Sequence, residues 1–150
     1  ERILRKAIKD KDSEEFYLEY QPKLDLKTNK ISGFEALARL KTEELGQISP
    51  FEFIKVAEKS LIITDLGNKI YYLAHKFTKK LANEGFPKEK VAINISGIQL
   101  AFEDFPGFEI KDDLVEFEIT ESVLLDNFDS VNEKLSEKYG LLIVDLVELR

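Results

Sequence analysis

Four apolar stretches of the sequence each carry polar side chains where a buried strand would carry none. They are "GFEALARL" (33–40) with Glu35 and Arg39, "VAINIS" (91–96) with Asn94, "VEFEITES" (115–122) with Glu118, and "LLIVD" (141–145), which ends on Asp145. Successive side chains of a strand point to opposite faces. Glu35, Leu37 and Arg39 therefore share one face, while Phe34, Ala36, Ala38 and Leu40 share the other. Asn94 opposes Val91, Ile93 and Ile95, and Glu118 with Thr120 opposes Val115, Phe117 and Ile119. Unpaired charges on a buried face cost on the order of several kcal/mol. The polar groups lie toward the carboxyl ends of their strands, which is where sites form in α/β folds.

Between these strands the pattern turns helical. Ile3, Leu4, Ala7 and Ile8 mark a lead-in helix within residues 1–14. Ser49, Pro50 and Glu52 read as an N-cap, a first-turn proline and the closing member of a capping box. Ile70, Leu73, Ala74, Phe77 and Leu81 mark a second helix, which Gly85 and Pro87 terminate. Val131, Leu135 and Tyr139 mark a third, which stops at Gly140. Residues 16–20 read as a strand that Gln21-Pro22 ends, because proline lacks a ladder donor. Residues 24–26, the Thr28-Asn29-Lys30 turn and residues 31–40 read as a hairpin. Strands alternating with helices imply parallel pairing with right-handed crossovers, in an open doubly wound sheet or a closed barrel.

The 150 residues, 43% hydrophobic, suffice for one core. A net charge of -7 offers no basic footprint for polymeric DNA or RNA, so an anionic substrate would need local arginines or metal ions. The absence of cysteine excludes disulfides and thiolate metal sites. The longest apolar run, 141–144, is far short of a membrane span, and no cleavable leader is visible; a cytoplasmic location is expected. The seven glycines form neither G-x-G-x-x-G nor a Walker loop. Glu35, Asn94, Glu118 and Asp145, converging from four strands, make a hard oxygen set suited to Mg²⁺ or Mn²⁺. The same residues could instead form a structural network of buried polar groups. His75, beside Lys76 in a charged helix, reads as solvated or partly packed rather than as a ligand.

The blocks "YLEYQPKLDLKTNKISGFEALARL", "ISPFEFIKVAEKS", "VAINISGIQL" and "FEITESVLL", in that order across residues 17–125, resemble the EAL domain, a family of cyclic di-GMP phosphodiesterases. The resemblance implies a modified TIM (β/α)8 barrel over residues 1–150, hydrolysis of cyclic di-GMP to linear pGpG, and dependence on one or two Mg²⁺ or Mn²⁺ ions. It implies that Glu35, Asn94, Glu118 and Asp145 hold metal, that Glu121 supports a loop beside the metals, and that Gln21, Leu37 and Arg39 line the substrate site. Homodimerisation and flanking sensor or GGDEF domains come with it as partners. So does an alternative: a catalytically inactive EAL domain acting as a cyclic di-GMP receptor or a protein-interaction module. After Asp145 the sequence reads Leu146, Val147, Glu148, where the family continues with a second aspartate. A complete barrel takes about 250 residues, so later strands are expected to be missing or gapped, which would also account for a sequence without methionine.

Overall fold

The computed structural model describes residues 1–10, 13–101 and 112–119. Helix α1 (Arg2–Lys9) buries Leu4, Ala7 and Ile8 on one side. It is shorter than the 1–14 expected: it ends at Asp10, whose carbonyl accepts a hydrogen bond from Lys69 Nζ at 2.7 Å. The buried Lys69 thus places a cation at the negative end of the helix.

Strands β1 (Phe16–Asp25) and β2 (Lys30–Thr42) form the expected antiparallel hairpin. At its turn Asn29 takes a φ of 54°, and Asp25 Oδ1 accepts the Lys27 N–H at 2.8 Å. The strand does not stop at Gln21-Pro22. Pro22 pairs with Phe34, and the Phe34 N–H points the other way, to Lys90 O at 2.8 Å. The pair is therefore one of the non-hydrogen-bonded positions of the ladder, and the N–H that proline lacks would have faced away from β2.

After β3 (Gly46–Ile48), paired antiparallel to the end of β2, come α2 (Pro50–Lys59), α3 (Ile63–Asn83), β4 (Val91–Ile95), α4 (Gly97–Ala101) and β5 (Val115–Ile119). β4 runs parallel to β2, and β5 parallel to β4. The strand order is β1-β2-β4-β5, with β3 joined to β2. At the end of α3, Gly85 adopts a φ of 96° and the Phe86 N–H returns to Leu81 O at 2.8 Å, the closure expected of a left-handed glycine cap.

The capping box expected at Ser49 and Glu52 does not form: Ser49 is the N-cap of α2 but its side chain makes no capping bond. Ser96 and Gln99, before and within α4, make one instead. The Ser96 N–H donates to Gln99 Oε1 at 3.0 Å and the Gln99 N–H to Ser96 Oγ at 3.3 Å, the reciprocal pairing of an S-x-x-Q start.

Two apolar clusters cement one face of the sheet. Leu4, Ala7, Phe16, Leu40, Phe53 and Leu66 belong to the first, and Ala36, Tyr71, Ala74, Val91, Ile93 and Val115 to the second. Helices α1, α2 and α3 all contribute to this face, whereas a doubly wound sheet carries helices on both. The described residues therefore form an arc of a barrel wall, helices outside, with the opposite face turned inward.

Candidate functional site

The inner face follows from the register. Gln21 stands opposite Glu35, Glu19 opposite Leu37, and Tyr17 opposite Arg39. Glu35 is in register with Ala92, and Asn94 with Glu118. Direct neighbours in a sheet share a face, so Gln21, Glu35, Leu37, Arg39, Asn94 and Glu118 all project from the side opposite the helices. The alternation read from sequence sorts these side chains correctly.

Within this face the contacts are specific. Asn94 Nδ2 donates to Glu35 Oε1 at 2.8 Å. That bond leaves Asn94 Oδ1 and the second Glu35 oxygen as acceptors. Arg39 Nε donates to Glu19 Oε2 at 2.7 Å, and a guanidinium N–H to Ala38 O at 3.1 Å. Glu118 forms an ion pair with Lys23, and Glu116, also on this face, with Lys90. Glu19 and Lys23 escaped the sequence reading. They alternate with Gln21 at two-residue steps along β1, and a strand ending at Gln21-Pro22 leaves Lys23 outside that alternation.

Glu35, Asn94 and Glu118 are thus brought onto one patch across three neighbouring strands. Among the described residues no three His, Cys, Asp or Glu side chains form a metal-holding group; the patch offers two carboxylates and an amide. Glu121 and Asp145 lie outside the described residues, as do the helix read around Val131 and the strand at 141–144.

His75 lies on the other side of the wall, as a packed residue. Its Nδ1 is 2.7 Å from Asp112 Oδ2, which also accepts from Thr78 Oγ1 at 2.7 Å. Asp112 Oδ1 accepts the Leu114 N–H at 3.0 Å, and the Asp112 N–H donates to the Tyr71 hydroxyl at 2.8 Å. Burial pushes the Asp112 carboxyl upward, but the hydrogen bonds from Thr78, Leu114 and His75 and the charge of Lys79 outweigh it and hold the group below its ordinary value. This knot fastens α3 to the start of β5. It sits behind the site.

The family model of the EAL domain matches residues 1–144. The signaling protein YkoW of Bacillus subtilis is 37% identical over 145 residues, covering 91% of this chain and 18% of that protein. The cyclic di-GMP phosphodiesterase PA2567 of Pseudomonas aeruginosa is 32% identical over 130 residues, covering 81% of this chain and 22% of that protein. The chain thus spans about a fifth of the length of these curated relatives. In structure it is similar to the PaMucR phosphodiesterase in complex with c-di-GMP, with a TM-score of 0.77 at 24% identity over 91% of this chain and 57% of that one. This likeness shows the fold. No helix among the described residues is long and apolar enough to cross a membrane.

Proposed function

The chain belongs to the EAL domain family, and from that premise we propose that it is part of a metal-dependent phosphodiesterase that opens cyclic di-GMP to linear pGpG. The observation that carries the reading is the Asn94–Glu35 hydrogen bond of 2.8 Å on a face that also presents Glu118. That bond leaves Asn94 Oδ1 and one Glu35 oxygen open as acceptors for a cation.

Those oxygens fit Mg²⁺ or Mn²⁺. Two carboxylates and an amide carbonyl are hard donors, and a magnesium site typically takes one or two carboxylates and leaves its other positions to water and phosphate. In this reading Glu35, Asn94 and Glu118 hold one or two ions together with Asp145, and Glu121 supports the neighbouring loop. When bound, the ions supply Lewis acidity toward the phosphodiester and a readily deprotonated water.

The chain's own residues do the rest. Arg39 offers a guanidinium fork to a phosphate oxygen, for which it would exchange its contact with Glu19. Gln21 and Leu37 flank Glu35 and line the base and ribose side of the substrate. Asn94 holds the Glu35 carboxylate in one orientation, so the ligand set is ordered before substrate arrives. The reaction balances as hydrolysis: the water oxygen bonds to phosphorus, one P–O ester bond breaks, and the departing oxygen takes up a proton as the ring opens. A cytoplasmic location, homodimerisation and flanking sensor or GGDEF domains belong to the same proposal.

Incubating the full-length protein with cyclic di-GMP and Mg²⁺ or Mn²⁺, and separating the nucleotides by chromatography, tests it. Formation of pGpG is expected. Tight binding without turnover would instead make the protein a receptor, and neither binding nor turnover would end both readings.

A further inference from the structure

Lys23 is a cation that the candidate site contains and its chemistry has not yet used. It leaves β1 on the inner face, opposite Gly33, so no side chain of that partner stands in its way. Its ammonium reaches Glu118 on β5 and pairs with Oε1, although β2 and β4 lie between in the sheet. Of the other cations described on this face, Arg39 pairs with Glu19 and Lys90 with Glu116, while Lys41, further along β2, stands opposite Gln47. Lys23 alone among them is directed at a candidate metal ligand.

An ammonium and a divalent ion that call on the same carboxylate oxygen repel each other and compete for it. We propose that Lys23 is a built-in counter-cation of Glu118 that a divalent ion must displace, so that this lysine weakens the cation affinity of the site. The inference rests on the metal-dependent reading above. The side chains are 37% and 39% exposed, so the ammonium can swing into water once displaced. A pair so open to solvent is weakly held, and the effect on affinity is a matter of several-fold.

Calorimetric titration of Mn²⁺ into the full-length protein tests this, with circular dichroism to confirm the fold of each variant. Lys23→Met is expected to bind Mn²⁺ about fivefold more tightly, and Lys23→Arg, which keeps the charge, to stay within about twofold of the parent. The gain in Lys23→Met is expected to shrink as salt screens the pair. Unchanged or weaker binding in a folded Lys23→Met overturns the role of Lys23 and leaves the phosphodiesterase reading standing. A parent protein that takes up no Mn²⁺ overturns that reading, and this inference with it. Should Lys23→Met fail to fold, Lys23→Gln, uncharged but polar, is judged by the same affinities.

Discussion

Asn94 on β4 holds Glu35 on β2 through a hydrogen bond of 2.8 Å, although 59 positions separate the two in sequence. Removing either end should lower turnover, to different extents. Glu35→Ala deletes a proposed ligand and is expected to lower turnover of cyclic di-GMP by at least about 100-fold. Asn94→Ala removes both a proposed ligand oxygen and the amide donor that orients the Glu35 carboxylate, with a loss on the order of 10- to 100-fold that raising the Mn²⁺ concentration should partly restore. Steady-state rates at several metal concentrations check both.

Gly33 lies on β2 beside Lys90, the residue preceding β4. Its φ is +150°, and an added Cβ would stand 2.8 Å from Lys90 O, the same carbonyl that accepts the Phe34 N–H. Gly33→Ala is therefore expected to destabilise the fold by about 2 to 3 kcal/mol through backbone strain and steric conflict. Urea unfolding measures it, and an unchanged midpoint would refute it.

Gln99 is buried at 6% exposure and closes the cap of α4, with its Nε2 packed against Gly67. Gln99→Ala leaves the Ser96 N–H without its acceptor and is expected to cost about 1 kcal/mol, in the range of a lost helix cap. Because Ser96 lies two residues beyond Asn94, the same variant should also weaken Mn²⁺ binding. Unfolding and calorimetry read the two effects separately.

Asp112 makes stability depend on pH in a definite direction. Its folded carboxyl titrates below the ordinary 3.8, so the unfolded chain binds the proton first. The stabilisation is fully present above that value and is lost as pH falls through the lowered folded one. Asp112→Ala should remove this acid-limb contribution and cost about 2 kcal/mol at neutral pH, since His75, Thr78 and the Leu114 N–H lose their acceptor. Denaturation midpoints between about pH 2.5 and 7 check both.

The faces of β2, β4 and β5 are legible because a strand's period of two is fixed by its backbone, while the strand order and parallel register that set Glu35, Asn94 and Glu118 side by side come from the fold. Pro22 was misread for a reason of register: whether a missing N–H matters depends on the partner strand, and no local pattern says which ladder position a proline will occupy. Ser49-Glu52 and Ser96-Gln99 carry the same capping signature. Tertiary burial of Gln99 against Gly67 accompanies the box that forms, and that contact is invisible in either tetrapeptide. Lys23 was illegible for a third reason, as its partner lies 95 positions away at the end of a long, flexible side chain. The antiparallel start of the sheet was foreseen as a hairpin. The single helical layer, which separates barrel from doubly wound sheet, required the packing.

The reversed direction of β1 has a consequence for how this barrel is wired to its surroundings. Phe16 pairs with Leu40, so the first strand begins where the second finishes, and both residues share an apolar cluster with Leu4, Ala7 and Ile8 of α1. In a barrel with every strand running one way, the first strand begins at the pole remote from the carboxyl ends. Here the start of β1 lies at the same end of the sheet as the finish of β2, so the entry of the first strand and the carboxyl end of the second share one pole.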